Sequence, residues 1–424
     1  MNILTNGFEP ISLKRLASLN PYVSLPKSGS VDYVPMENIH QGYLDHQTEE
    51  ISSLPSSLNA FSEGDILLAK VTPCFENGNI AIASNLLTGV GLCSTELFVL
   101  RIHSDKILPE YLMLLLQDDQ FKKEAKSYMR GTGGLKRIPT DWLMSRKFLI
   151  PSLKHQRLII QAMSSSDSLI QDIQKGFRET LDRLSSYRQS LITRAVTKGL
   201  DPNVEMKDSG VEWIGSIPRE WKTSKISFVS DVTLGKMLCP RQTDSEQTLE
   251  TYLCAGSISW DGVKDYIKEM WFSSKEKSEL LLIAGDVLIV EGGAGFGMTT
   301  LYKGEHSPCY FQNSIIRVRG HHNVMTSDFI NYWMRFTYTA YLKTVCNEAT
   351  FSHYTKEKVS ETPILVPPLN EQKKIADFCK LVDERVKTIC AGIENQISKL
   401  NEYRSSLISA AVTGQLAIDE EVSA

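Results

Sequence analysis

Two stretches decide how this chain is organised. Pro151 to Leu200 opens PSLKHQRLIIQAM and closes RLSSYRQSLITRAVTKGL, and Pro367 to Leu416 opens PPLNEQKKIADFC and closes KLNEYRSSLISAAVTGQL. They align without a gap at a constant offset of 216, pairing Tyr187-Arg188 with Tyr403-Arg404 and Ala195-Val196-Thr197 with Ala411-Val412-Thr413. A repeat of this length governs the whole architecture. Weaker echoes precede each copy: Gly64-Asp65-Ile66-Leu67 answers Gly285-Asp286-Val287-Leu288, and STELFVLR from Ser94 answers QNSIIRVR from Gln312, at offsets of 218 to 221. The chain is therefore a tandem duplication on the plan globular, helix, globular, helix, which suits 424 residues at ~100 to 200 residues per domain.

Each copy of the strong repeat carries a heptad-like apolar seam. Ile170, Ile173, Phe177, Leu181, Leu184 and Leu191 fall at spacings of three, four or seven, and Val386, Ile389, Ile393, Ile397, Leu400 and Leu407 occupy the equivalent places. The spacing predicts a helix from His155 to Lys198, about 66 Å long at 1.5 Å per residue. A helix with one apolar stripe needs a partner, and the nearest is its own repeat. The globular halves read as mixed and β-rich: DILLAKV, LFVLRI, DVLIVEG and SIIRVR are strand-like and bounded by Gly, Pro, Asn and Ser. Helical stretches are expected around Tyr111 to Met129 and Phe329 to Val345, and Gly199 to Pro218 reads as a connector.

Composition narrows the class. Hydrophobic residues at 42% and charged residues at 23% describe a folded globular chain. Met1 to Pro10 lacks the basic and apolar regions of a secretion signal, and the apolar run Leu280 to Val290 is broken by Gly285 and Asp286, so neither export nor a membrane span is expected. The eight cysteines, at positions 74, 93, 239, 254, 309, 346, 379 and 390, have no metal-ligand spacing and read as reduced cytoplasmic thiols. A formal charge of -4 counts against a uniformly basic nucleic-acid binder. Charge is nevertheless concentrated locally: Lys122, Lys123, Lys126, Arg130, Lys136, Arg137, Arg146 and Lys147 face only Glu124 and Asp141 in their stretch.

Motifs for chemistry are missing where an enzyme would need them. EGGAGFGMT from Glu291 follows a strand but opens no evident helix and lacks the Lys-Ser/Thr of a phosphate loop, while its counterpart KVTPCFENGNIA from Lys70 keeps the place and changes the residues. A loop constant in position and variable in content suits recognition better than a cofactor cradle. The Pro367-Pro368 pair lacks the flanking Asn or Asp and aromatic residue expected of an adenine methyltransferase, and reads as a stiff strand-to-helix turn. His321-His322 reads as a solvated turn. RGTGGLKRIPTDWL from Arg130 is more informative: Gly131, Gly133 and Gly134 permit close backbone approach, and Arg130, Lys136 and Arg137 can meet phosphates. Its counterpart NEATFSHYTKEKV from Asn347 offers Ser352, His353 and Lys356.

With these pieces in place, the chain resembles the specificity subunits of type I restriction-modification enzymes over nearly its whole length. The resemblance rests on VPPLNEQKKIADF from Val366, the helix end YRSSLISAAVTGQL from Tyr403, SGVEWIGSIPREW from Ser209, and the DILL and DVLI strands, each preceded by Gly. The first half departs from it, with FEPISLKRLASL from Phe8 and PSLKHQRL from Pro151 as looser versions.

The resemblance implies an α+β fold: two similar mixed β-rich target-recognition domains separated by two long conserved helices packed as an antiparallel coiled coil. The implied boundaries are residues 1–150 for the first domain, 151–198 for its helix, 199–220 for a connector, 221–366 for the second domain, 367–416 for its helix and 417–424 for a C-terminal tail. It further implies a non-catalytic DNA-recognition subunit of a phage-defence complex, each domain reading half of a bipartite target in double-stranded DNA. Two modification (methyltransferase) subunits would dock on the helices, and restriction (translocase-nuclease) subunits would join through the complex. S-adenosylmethionine, ATP and Mg²⁺ are expected on those partners, with no cofactor or metal on this chain. In the first half Lys70, Thr72, Asn77 and Asn79 are expected at the DNA groove and Arg130, Lys136 and Arg137 on phosphates; in the second, Lys236, Arg241, Phe296, Met298, His353 and Lys356 are the comparable choices. A scaffold that binds no DNA, and a standalone DNA-modifying enzyme, are the rival readings.

Overall fold

The computed structural model describes residues 8–132, 134–342 and 353–416. Gly133, Val345, Cys346, the stretch 347–352 with Ser352, and the tail 417–424 lie outside the described residues. The chain forms two compact units, one of residues 1–178 with 393–424 and the other of residues 179–392. Each unit therefore takes one part of the long helix Leu153–Lys198 and one part of the long helix Leu369–Val412.

In the first unit an antiparallel sheet runs in the order Ala17–Leu19, Leu97–Ile102, Ile66–Ala69, Ile80–Ile82. A second sheet, in the order Gln47–Glu50, Ser30–Val34, Val90–Cys93, Asn59–Ser62, contains one parallel pair, Ser30–Val34 with Val90–Cys93. Glu9–Ser12 pairs with Lys147–Ile150 and brings the two ends of the domain together. The second unit repeats this plan. Its first sheet is Ser230–Leu234, Ile315–Gly320, Val287–Val290, Thr299–Leu301; its second is Lys268–Phe272, Thr248–Leu253, Tyr310–Phe311, again with one parallel pair; and Lys222–Lys225 pairs with Pro363–Val366.

The Gly-Asp repeat has a definite purpose in both units. Gly64 (φ 82°) and Gly285 (φ 100°) turn the chain through the left-handed region that other side chains avoid. The next residue, Asp65 or Asp286, is buried. Asp65 accepts from the Ser62 amide at 2.7 Å and accepts two guanidinium bonds from Arg101, at 2.7 and 2.6 Å. Asp286 accepts from the Ile283 amide at 2.9 Å and from Arg319 at 2.6 and 2.8 Å. A buried carboxylate is tolerable only with such partners.

The glutamine of each long-helix opening is a second shared device. Gln156 is buried, accepts from the Leu108 amide and donates to the Lys106 and Pro151 carbonyls; Gln372 accepts from the Thr326 amide and donates to the Val324 and Pro367 carbonyls. The loop before each domain helix is thus tied to the strand-to-helix turn. Apolar anchoring follows the same duplication. Ile159 and Met163 with Ile408, Ala411 and Val412 enter the core of the first unit, and Ile375 and Cys379 with Ile192, Ala195 and Val196 enter that of the second. Every one of these residues has its counterpart at the offset of 216.

Within each unit the helix segments run antiparallel. Asp167 takes both guanidinium bonds of Arg404 at 2.8 Å, and Gln174 donates to Asn401 at 2.8 Å in the first unit; Arg188 donates to Asp383 at 2.7 Å in the second. The seam differs from the apolar reading at two places. Ile173 and Ile389 are 38% and 47% exposed, whereas Gln174 and Cys390, one residue later, are half-buried. Ile170, Gln174, Phe177, Leu181, Leu184, Arg188 and Leu191 step by four and three in strict alternation, as do Val386, Cys390, Ile393, Ile397, Leu400, Arg404 and Leu407. Polar residues hold seam positions that a search for aliphatics passes over.

Other expectations also need correction. The helical stretch from Tyr111 breaks at Asp118, whose carboxylate caps Asp119–Tyr128 by accepting from the Phe121 amide. The stretch from Phe329 is a helix over Ser327–Thr337 that widens into a π-turn over Tyr338–Leu342. The stretch read as a connector carries structure of its own: Met206–Asp208 pairs with Ser216–Pro218, and Ile214 and Ile217 are buried in the second unit's core. No described helix is long and apolar enough to cross a membrane, and the seven described cysteines are all unpaired.

Replacing Asp286 with Ala would leave the Arg319 guanidinium largely unpartnered, and the expected cost is about 3 kcal/mol of stability. Urea unfolding of the variant beside the parent checks this; a midpoint unchanged by Asp286→Ala would show that the pair is dispensable.

Candidate nucleic-acid interface

In each unit the central strand runs from its Asp-Arg pair at one end to a loop at the other, where a second loop meets it. In the first unit Ile66–Ala69 continues into Lys70 to Thr72. Val71 bridges to Arg137, the Ile138 amide donates to the Lys70 carbonyl at 3.0 Å, and Arg130 and Arg137 exchange backbone hydrogen bonds at 3.0 and 2.8 Å. The Thr72 hydroxyl donates to the Gly134 carbonyl at 2.7 Å and accepts from the Lys136 amide at 3.0 Å. Thr72 is therefore buried in holding the 130–137 loop, and its expected place at a DNA groove is corrected to a clamp. Gly131 (φ 147°) is required by the loop itself, since a Cβ there would lie 2.2 Å from the Leu135 carbonyl oxygen.

Lys70, Arg130 and Arg137 are brought together around a shallow hollow of about 270 Å³ completed by Phe98, Ile138, Pro139 and Thr140. The Lys70 ammonium lies 5.6 Å from the Phe98 ring centre. Arg137 makes a two-pronged bond to Glu96 at 2.8 and 2.7 Å, which holds the Glu96 carboxyl below the usual carboxylate range. Much of the basic stretch is neutralised in the same way: Lys122 pairs with Asp119, Lys126 with Glu76 and Arg146 with Glu124. Arg130 and Lys136 are exposed, and among the described residues no carboxylate pairs with either. Asn77 is exposed and Asn79 half-buried on the turn after Thr72, whose backbone is tied down by the Asn79 amide bonding to the Cys74 carbonyl and by Gln41 donating to the Asn77 carbonyl.

The second unit builds the same corner from different residues. Val287–Val290 continues into Glu291 and Gly292, Gly292 bridges to His353, and the Tyr354 amide donates to the Glu291 carbonyl at 2.7 Å. Gly292 with His353 stands where Val71 with Arg137 stands in the first unit. A Cβ on Gly292 would lie 2.5 Å from Nδ1 of His353, so the exposed imidazole closes over the glycine. Lys356 begins the helix Lys356–Glu361 and is exposed, as is Arg241 on the loop after Ser230–Leu234.

Three expected DNA contacts of this unit have other occupations. Lys236 pairs with Glu276 at 2.6 Å and lies 5.3 Å from the Phe272 ring centre, mostly shielded from solvent. Phe296 packs on the core edge-on to Tyr354, at 6.3 Å between ring centres, and Met298 packs against the core of the second sheet. The glycine-rich stretch forms a tight turn over Gly293–Gly295 and returns as strand Thr299–Leu301, so its apolar residues point back into the fold. Sequence reasoning passed over Glu96, the Asp-Arg pairs, the buried glutamines and Asp167 with Asp383. The last two stand at the offset of 216 that marks the repeat, which was signal enough to find them. Among the described residues no group of His, Cys, Asp and Glu is placed to hold a metal ion.

Comparison with known proteins bears on this duplicated corner. Residues 218–399 match the family described as "Type I restriction modification DNA specificity domain". The matched segment, residues 218–399, is similar to the specificity domain of type I restriction-modification systems. The chain is 32% identical over 206 residues to the EcoAI specificity subunit of Escherichia coli, covering 48% of this chain and 34% of that one, so it matches about a third of that relative's length. It is 22% identical over 408 residues to the StySPI specificity subunit of Salmonella potsdam, covering 91% of this chain and 83% of that one. Among solved structures, a chain from a study of complex assembly and conformational transition of the type I R-M system superposes with a TM-score of 0.71 at 17% identity, covering 97% of this chain and 98% of that one. The HsdS subunit from Thermoanaerobacter tengcongensis does so at 0.50 and 17%, covering 97% of each chain. At these identities the structures establish the fold, which is the α+β architecture of two β-rich domains with long helices.

Loss of the Thr72 hydroxyl removes both of its bonds to the 130–137 loop. In Thr72→Val the Lys136 amide is expected to lose about tenfold or more of its hydrogen-exchange protection, equivalent to ~1.4 kcal/mol. Unchanged protection would mean that the backbone ladder alone holds the loop.

Proposed function

We propose that this chain is the DNA-recognition subunit of a type I restriction-modification complex, in which each unit reads one half of a bipartite target and neither performs chemistry. The observation that supports this most is the pair of corners: the Asp-Arg pair and buried glutamine are the same in both units, while Val71 with Arg137 in one becomes Gly292 with His353 in the other. A constant frame presenting different side chains at the same place is what reading two different half-sites requires. Arg130 and Lys136 are the phosphate contacts of the first unit, with Arg137 available in competition with Glu96; Arg241, His353 and Lys356 serve the second. Lys70, Asn77 and Asn79 face the groove.

Two methyltransferase subunits are the partners that modify the target, with translocase-nuclease subunits joining for restriction. S-adenosylmethionine, ATP and Mg²⁺ belong to those partners, and the assembly works in the cytoplasm, where its DNA lies. Duplication within one chain gives two similar faces for two copies of one partner. The modification subunits dock on the long helices.

Two experiments test this. In complex with its methyltransferase, exchanging residues 221–362 for the equivalent segment of a relative is expected to change one half of the methylated sequence and leave the other, as mapped by sequencing modified sites; alteration of both halves, or methylation by the purified chain alone, overturns the reading. Arg130→Ala and Lys136→Ala should weaken binding to all duplexes alike and each reduce the slope of log K against log salt by about 0.9. Glu96→Gln, which releases Arg137, should strengthen binding; a salt slope untouched by all three variants would remove this loop from the interface.

A further inference from the structure

The loop after Ser230–Leu234 carries a feature that the core does not explain. Met237 and Leu238 are 75% and 55% exposed, adjacent in sequence, and held between fixed points. On one side the Lys236 amide donates to the Phe311 carbonyl at 3.1 Å and the Lys236 carbonyl accepts from the Asn313 amide at 2.8 Å, with the Lys236 side chain locked by Glu276. On the other side the Cys239 carbonyl accepts from the Trp271 amide at 3.1 Å. Gly235 makes the first anchor possible, because a Cβ there would lie 2.2 Å from the Gln312 carbonyl oxygen. Two apolar side chains are thus displayed on a short, pinned tip. Exposed apolar groups held rigidly cost solvation and gain nothing in the free protein, so their use lies in contact with something else.

Strand register places this tip. Leu234 and Ile289 both lie beside Ile316, on opposite sides of the strand Ile315–Gly320, and the two outer strands run parallel to each other. The loop that follows Leu234 therefore leaves the sheet at the same end as Glu291, Gly292 and their partner His353. The occupant follows from continuity: this corner already presents Arg241, His353 and Lys356, the side chains assigned to DNA above, and apolar side chains beside cations are the pattern with which proteins enter a base step and unstack it.

Resting on the DNA-recognition reading, we infer that Met237 and Leu238 form an apolar wedge that inserts at a base step of the half-site read by the second unit. A rigid tip suits this role, because unstacking a step needs a side chain that does not fold away. Neither residue contacts a phosphate in this arrangement, so the wedge contributes to affinity and local DNA shape but leaves the salt dependence alone.

The test uses the full chain with its methyltransferase subunits and a duplex bearing the mapped target, with 2-aminopurine placed in turn at each step of the two half-sites. For the parent complex, fluorescence is expected to rise at one step of the second unit's half-site away from the methylated base, which the methyltransferase extrudes in any case. In the double variant Met237→Ser, Leu238→Ser that rise is expected to vanish, with binding about tenfold weaker, the salt slope unchanged and the thermal transition unchanged. Met237→Leu should keep the signal. A parent complex that binds no DNA overturns both the function and the wedge. A complex that binds its target with no unstacked step apart from the methylated base, or with that further step equally bright in the double variant, overturns the wedge alone. Loss of methyltransferase association in the double variant, with DNA distortion intact, would reassign the tip to a protein contact and also overturn it.

Discussion

The two-pronged bond between a buried aspartate and an arginine one strand away is the constraint on which each unit depends. Asp286 with Arg319, and Asp65 with Arg101, fix the beginning of the central strand against its neighbour and satisfy the turn that precedes it. Because the strand is fixed at that end, its far end can carry a loop of almost any composition without loss of register. Stability and variation are placed at opposite ends of four residues. A charge pair with its remaining acceptor capacity used by a backbone amide also tolerates burial far better than a bare ion pair.

The helices were legible because a repeat of 216 residues, once seen, gives each position two independent readings. The seam was legible only in part. Ile173 and Ile389 are aliphatic and sit near the right spacing, but the alternating three-and-four step passes through Gln174 and Cys390, and an apolar pattern cannot see a glutamine that bonds across to Asn401. Polar seam residues of this kind tie one register of two helices together, since any shift would leave their groups unpaired.

The site was less legible than the frame. Arg130 and Lys136 could be picked out because exposed cations near glycines form a local pattern. Thr72, Lys236, Phe296 and Met298 could not be sorted, because whether a loop side chain faces out or back into the core depends on neighbours distant in sequence: Gly134 for Thr72, Glu276 for Lys236, Tyr354 for Phe296. The Asp-Arg pairs were hidden for the same reason, although the Gly-Asp repeat marked one partner of each. Charge totals were equally uninformative, since Glu96, Glu76, Glu124 and Asp119 each cancel one cation of the basic stretch.

The way the long helices are shared also bears on the order in which the protein can be built. Residues 179–392 form one continuous segment with a core of their own, whereas the first unit includes Ile408, Ala411 and Val412 in its core. On the ribosome, where amino-terminal domains ordinarily fold first, this chain reverses the order: residues 8–178 must wait for residues 393–416, and the segment between them can close before they meet. Until then the apolar surface around Ile159 and Met163 stays uncovered, and truncation near the carboxyl end would damage the unit farthest away in sequence.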